Sequence, residues 1–410
     1  ILDYAHTPDA LQTCLKDLRD QFTEKKINIV FGCGGDRDKF KRSKMGKIAN
    51  SFCSKVYITD DNPRYENPNK IRKTIKKYIL PSKVIEIADR KHAILKAIEN
   101  LKSNEILVVA GKGHELTQDY GSKKKFFSDR DIIKKAIVKK NKNLSNNLKL
   151  NILSDYFNKN FSKNLQINSA SINSKTIKKN EIFFAIKGKK NDGNLFVKNS
   201  LNKGASMAIV SQYRKTTNRK KQIKVLDSLK CLTNLSKLIR DNFQGKIIAI
   251  TGSCGKTSLK NITGEALSKF SDISFSPKSY NNKYGVPLSL FNLKFNSNYG
   301  VFEVGMDKKG EIDFLSKILK PNIGVITNIS YAHAKNFKNI KQIAEAKGEL
   351  IQNIKKNGTM ILNKDDNFFN FHQKKAHNRN LKIISFGINK KADIALVSIK
   401  KKNKYYKIHI

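Results

Sequence analysis

Short apolar runs alternate with amphipathic stretches over residues 1–140. INIVFG (27–32), KVYITD (55–60) and EILVVAG (105–111) are β-rich runs that each end in Gly or Asp, where a loop should begin. Between them apolar residues recur at helical spacing, at Ile71, Ile75, Tyr78 and Ile79, and again at Ile94, Leu95, Ile98 and Leu101. Strands alternating with helices predict an α/β domain with a buried parallel sheet. Ligand-contacting residues then belong in the loops at the carboxyl ends of the strands.

The pattern breaks at VKKNKNLSNNLKL (138–150), a polar, Asn- and Lys-rich stretch read as an interdomain linker centred on 141–150. A smaller α/β unit follows over 151–244. Its strands are EIFFAIKG (181–188) and ASMAIVS (205–211), with a helix between them that Gly204 closes. From 245 to 410 a stronger α/β pattern restarts. KIIAI (246–250) is a strand, then comes a Gly-rich turn, then a helix with Leu259, Ile262, Ala266, Leu267 and Phe270 on one face. Further strands are predicted at 300–304, 323–328, 359–362 and 382–386. The fold class is therefore α/β, in three α/β domains.

Composition changes this picture little. At 410 residues and 39% hydrophobic, the chain can bury several cores, and no apolar run reaches the ~20 residues that span a bilayer. Cys14, Cys33, Cys53, Cys231 and Cys254 are scattered without metal-ligand spacing. They predict free thiols in a reducing cytoplasm. The net charge of +47 is spread through every segment, and no nucleic-acid-binding motif accompanies it, so no specific nucleic-acid partner is expected. The charge favours anionic substrates.

The sharpest chemical signal is TGSCGKTS, residues 251–258. A strand enters it and a helix leaves it, the setting of a phosphate-binding loop. Gly252 and Gly255 let the backbone N–H groups of Ser253, Cys254 and their neighbours wrap an anion at a helix start that includes Ser258. Lys256 reaches the β and γ phosphates, and the Thr257 hydroxyl is a Mg²⁺ ligand. The G-x-x-G-K-T spacing is two residues shorter than the common phosphate loop.

That shortened loop is the form found in Mur ligases and in folylpolyglutamate synthetases. SYNNKYGVPLSL (279–290), FEVGMDKKGEIDFL (302–315), PNIGVITNISYAH (321–333), IAEAKGEL (343–350) and LNKDD (362–366) follow it in order. Together they resemble the central, ATP-binding domain of D-alanyl-D-alanine-adding Mur ligases. The resemblance implies that Glu303, His333 and Lys347 join Thr257 around Mg²⁺, with Lys256, Lys347 and His333 the catalytic side chains. It also implies that Lys347 is carbamylated into an anionic ligand, that Asn282 lies beside nucleotide and metal, and that Asn363 and Asp366 lie near the adenosine. Residues 171–210 resemble the UDP-substrate domain of the same ligases, with Ser174 and Lys175 at the uridine nucleotide. Lys175 stands where that family has Arg, so it meets phosphate as a point charge.

Residues 1–137 carry DYAHTPDAL (3–11), FGCGGDRDKFKRSKM (31–45), TDDNPRYE (59–66), ADRKHAI (88–94), AGKGHE (110–115) and FFSDRD (126–131). These resemble the C-terminal, amino-acid acceptor domain of the diaminopimelate-adding Mur ligases. By that resemblance Arg37, Asp61, Asn62, Arg64, Gly111 and Glu115 bind meso-diaminopimelate. Arg37 and Arg64 supply forked donors for carboxylates and Glu115 pairs with the distal ammonium.

The resemblances imply an ATP-dependent ligase of peptidoglycan precursor synthesis that acts as a monomer in the cytoplasm. It would join meso-diaminopimelate and D-Ala-D-Ala to UDP-MurNAc-peptides through an acyl phosphate. The chain starts without Met, inside a motif, and its central domain is followed by no acceptor domain of its own. The expectation is a fragment of a two-ligase fusion, incomplete for either ligation. A folylpolyglutamate-type ligase and a basic nucleic-acid-binding protein with a vestigial nucleotide site remain as alternatives.

Overall fold

The computed structural model describes the chain apart from residues 189–190, 216–217, 277, 332–335 and 403–404. His333 therefore lies outside the described residues. The chain divides into two compact units, Ile1–Asn143 and Leu144–Ile410.

The first unit is built on a four-stranded parallel sheet in the order Val84–Glu86, Lys55–Ile58, Lys26–Phe31, Glu105–Val109. Successive strand residues point to opposite faces. Ile29 and Phe31 pack with Leu11, Leu15, Met45 and Ile75 from the helices Pro8–Gln21, Lys41–Phe52 and Pro68–Lys76. Val30 and Tyr57 pack on the other face with Ile94 and Ile98 of the helix Arg90–Asn100. Both faces are covered, which is why the strands read as nearly continuous apolar runs.

The stretch expected as a linker, 141–150, contains the boundary between the two units and is helical, inside the 29-residue helix Asp129–Phe157. Its polar composition hides side chains with fixed partners. Asn146 accepts from Ile167 N at 2.6 Å and donates to Leu165 O, while Lys149 donates to Asn168 O. Leu150, Ile152 and Leu153 join the second unit's core.

Within that second unit, a small parallel sheet runs Gln222–Lys224, Met207–Val210, Glu181–Phe184, Ser169–Ser171. A larger parallel sheet runs Ile273–Phe275, Tyr299–Glu303, Lys246–Thr251, Ile323–Ile326, Thr359–Asn363, Lys382–Gly387, Ile394–Ala395. One apolar cluster is shared between them, from Ile182 and Phe184 through Leu232 and Leu235 to Ile247, Phe291 and Leu315. Ala170 N and O both bond the Asn292 side-chain amide, at 2.6 and 3.0 Å, which ties the small sheet to the larger domain.

The register of the larger sheet places the site. Ile250 pairs with Glu303, and Thr251 pairs with Ile326 on the opposite side. The strand Lys246–Thr251 thus ends between the ends of two neighbours, and its loop opens into the crevice outside the carboxyl ends of the strands.

Candidate active site

The strand Lys246–Thr251 leads through Gly252–Gly255 into the helix Lys256–Ser268. Gly252 has φ 145°, and a Cβ there would lie 1.9 Å from Thr327 Oγ1, so no other residue fits this turn. The loop is tied to the segment after the neighbouring strand. Ser253 N donates to Asn328 O at 2.9 Å, Cys254 N to Asn328 Oδ1 at 3.0 Å, and Thr327 Oγ1 to Cys254 O at 2.6 Å. The Ser253 hydroxyl donates to Ser330 O and accepts from Ser330 N, both at 2.9 Å. Ser258 is exposed in the first turn of the helix.

Two lysines converge on one carbonyl of this loop. Lys256 Nζ donates to Gly252 O at 2.8 Å and Ser253 O at 3.0 Å, folded back onto its own turn. Lys347 Nζ donates to the same Gly252 O at 2.8 Å. Lys347 is 2% exposed, and burial, helped by the Lys256 charge, pushes its ammonium down to about 7.

Beside the lysines Glu303 is 1% exposed and ends its strand against the first turn of the helix. Its Oε2 accepts from Thr257 Oγ1 at 2.7 Å and its Oε1 from Asn281 Nδ2 at 2.7 Å. Thr257 Oγ1 also meets Ser279 Oγ at 3.1 Å. Both donors to this buried carboxylate are neutral, which leaves its charge free for a cation. Hydroxyl and carboxylate oxygens suit Mg²⁺, which keeps waters and phosphate oxygens for its remaining positions. Among the described residues no three His, Cys, Asp or Glu side chains cluster as a protein-only metal cage.

The other expected nucleotide residues serve the frame around the loop. Asn282 Oδ1 accepts from Tyr284 N and Gly285 N at the entry to the helix Gly285–Phe291. Asn363 Nδ2 donates to Thr327 O at 3.1 Å, and Asp366 Oδ2 accepts from Ile329 N at 2.6 Å. A cavity of about 710 Å³ opens from Lys256 and Glu303 toward Asn282, Thr233, Lys308 and Phe314. Ser174 is buried and Lys175 exposed in the turn after the strand Ser169–Ser171, where Lys203 Nζ donates to both their carbonyls.

In the first unit Asp61, Asn62, Gly111 and Glu115 come together where strands end. Gly111 has φ 109°, and a Cβ there would lie 2.6 Å from Asp61 Oδ2. Asn62 Nδ2 donates to Glu115 Oε2 at 3.2 Å. Burial pushes Glu115 up, yet bonds from Lys112, Asn62 and Tyr4 hold it below the usual carboxylate range. Arg64, at φ 50°, donates through Nη1 to Gly35 O at 2.7 Å, so this guanidinium is partly engaged by the glycine loop. Arg37 is exposed and held by no ion pair among the described residues. Asp61 is 7% exposed beneath Gly111, a support for the site more than a surface on it. Sequence reasoning passed over Asn281, Lys112, Arg90 and Asp129. All four sit inside the quoted motifs, where other residues were singled out instead.

A glycine loop, an invading lysine and a hydroxyl–carboxylate pair at the end of a parallel strand define a phosphate-loop nucleotide-binding α/β protein. Residues 250–410 match the Mur ligase middle domain, and residues 1–113 match the Mur ligase, glutamate ligase domain. The chain thus carries two domains of the Mur ligase family. The UDP-N-acetylmuramoyl-tripeptide–D-alanyl-D-alanine ligase of Rickettsia prowazekii (strain Madrid E) is 37% identical over 234 residues, 57% of this chain and 52% of that protein. The UDP-N-acetylmuramoyl-L-alanyl-D-glutamate–2,6-diaminopimelate ligase of Rickettsia rickettsii is 50% identical over 137 residues, 33% of this chain and 29% of that protein. The crystal structure of MurF from Acinetobacter baumannii superposes with a TM-score of 0.55 at 29% identity, covering 63% of this chain and 57% of that one. The MurF ligase from Thermotoga maritima in complex with ADP gives 0.51 at 29% identity, covering 60% and 56%. The chain thus spans about half the length of the first relative and less of the second.

Proposed function

We propose that the second unit is the substrate- and ATP-handling part of a D-alanyl-D-alanine-adding ligase, and the first unit the amino-acid acceptor domain of a diaminopimelate-adding one. The observation that carries this reading is the grouping of Lys256, Lys347, Thr257, Glu303 and Asn281 around a single glycine loop. The names of the relatives supply the substrates: UDP-MurNAc-peptides, meso-diaminopimelate and D-Ala-D-Ala.

The reaction is an amide synthesis. A carboxylate oxygen of the UDP-MurNAc-peptide attacks the γ-phosphorus of ATP, the bond to ADP breaks, and an acyl phosphate forms. The incoming amine then attacks the acyl carbon, phosphate leaves, and the amine gives up a proton. Most of the catalysis is positioning and charge neutralisation. Lys256 leaves the Gly252 and Ser253 carbonyls for the phosphate oxygens. The loop N–H groups and the start of the helix Lys256–Ser268 hold the phosphates. Thr257 and Glu303, steadied by Asn281, would hold Mg²⁺, which neutralises developing phosphate charge. Lys347, with an amine titrating near neutrality, is suited to carbamylation: its unprotonated nitrogen adds to CO₂ and loses a proton, and a cation becomes an anion. His333 completes the proposed ligand set. Ser174 and Lys175 would meet the uridine nucleotide, and Asn363 and Asp366 the adenosine side of the loop.

Titration of UDP-MurNAc-tripeptide into the full chain, with a non-hydrolysable ATP analogue and Mg²⁺ present, tests this. Binding of the nucleotide-linked tripeptide with none for a folyl-polyglutamate is expected. The reverse preference overturns the reading.

A further inference from the structure

Lys112 is 0% exposed, yet it lies one position from Gly111 in a loop whose outer residues face solvent. Burying an ammonium is costly unless its partners are fixed. Here Nζ donates to Asn62 Oδ1 at 2.9 Å and to Glu115 Oε2 at 3.0 Å, and lies 3.9 Å from Asp61 Oδ1. Asn62 in turn donates to the same Glu115 Oε2 and accepts from Asp119 N at 3.0 Å. Behind Asp61 stands Arg90, 1% exposed, with Nη1 4.0 Å from Asp61 Oδ2 and Nη2 2.7 Å from Asp129 Oδ2.

Charges therefore alternate inward from the surface: Glu115, Lys112, Asp61, Arg90, Asp129. Glu115 is the one member with substantial access to solvent, its side chain 33% exposed, and the row leaves one negative charge unbalanced. Tyr4 OH donates to Oε1 at 3.4 Å, and His114 stacks on Tyr4.

We propose that Lys112 is a positioning residue for acceptor recognition: from beneath the loop it fixes Asn62 and Glu115 together, so that Glu115 presents an oriented, ionised carboxylate to the ammonium of an amino-acid acceptor. This rests on the acceptor-domain reading above. Lys112 touches no substrate and acts through Glu115. The net negative charge of the row, presented at Glu115, also selects against acceptors that carry an anion where the ammonium belongs.

The test is a double-mutant cycle on the full chain, with meso-diaminopimelate as the calorimetric ligand. Lys112→Met is expected to weaken binding about tenfold or more in the Glu115 background and much less in the Glu115→Gln background. Equal losses in both backgrounds overturn the proposal, because a merely structural role would not depend on the Glu115 charge. A second measurement needs no ligand: the NMR titration of the ¹³C-labelled Glu115 carboxyl. It is expected to move up in Lys112→Met, and an unchanged titration overturns the proposal. If wild-type chain binds no diaminopimelate while the carboxyl still shifts, the acceptor reading fails and the positioning role stands. Should Lys112→Met not fold, Lys112→Gln carries the same two measurements.

Discussion

Thr257 Oγ1 lies 2.7 Å from Glu303 Oε2, joining the first turn of the phosphate-loop helix to the end of the neighbouring strand. With Asn281 on the other oxygen, the carboxylate is fixed and buried, and it forms no ion pair among the described residues. Glu303→Gln should weaken Mg-ATP binding by about tenfold or more while leaving Mg-free ATP binding near its wild-type value, since only the metal-dependent share is lost. Calorimetry with and without excess chelator checks this.

The two loop glycines should respond differently. Gly252→Ala meets both a φ of 145° and Thr327 Oγ1 at 1.9 Å, whereas Gly255→Ala meets φ 80° and open space. The second substitution should cost about 1–2 kcal/mol of strain alone, the first distinctly more. Urea unfolding of both variants, followed in the second unit, decides the order.

Lys347 makes stability depend on pH. Its pKa falls from 10.5 to about 7 on folding, so above about 7 the unfolded chain binds the extra proton. Stability should therefore rise with pH across this window, and below it the cost is fully present and constant. Lys347→Met should flatten that contribution and raise the melting temperature of the unliganded protein at neutral pH. Melting curves of both proteins from pH 7 to pH 10, taken without bicarbonate, provide the check.

Arg90 and Arg37 separate support from surface. Arg90→Met strands Asp129, itself 0% exposed, and should cost about 3–5 kcal/mol in the first unit. Arg37→Ala, at an exposed position, should change stability by no more than about 0.5 kcal/mol yet weaken diaminopimelate binding. Thermal unfolding alongside calorimetry distinguishes them.

What could be read in the sequence was what local spacing dictates. Gly252, Gly255, Lys256 and Thr257 announce their loop because a turn of positive φ and an anion site need those residues in that order. The strands 27–31, 55–58 and 246–251 were legible because sheets buried on both faces read as apolar runs. Buried polar residues were not legible. Lys112, Arg90 and Lys260 look like ordinary members of a lysine- and arginine-rich chain until tertiary structure supplies their partners; Lys260 Nζ, for example, donates to Ser276 O and Lys278 O behind the phosphate loop. The helix through 141–150 was missed for the same reason. Asn146 and Lys149 count as polar by composition but as core by contact.

The central claim is that Gly252–Thr257 is a working phosphate loop, and calorimetric titration of Mg-ATP into this chain and into Lys256→Ala tests it most directly. The account predicts saturable binding by the wild-type chain that Lys256→Ala weakens by at least about tenfold. Equal binding by the two proteins, or none by either, would contradict it.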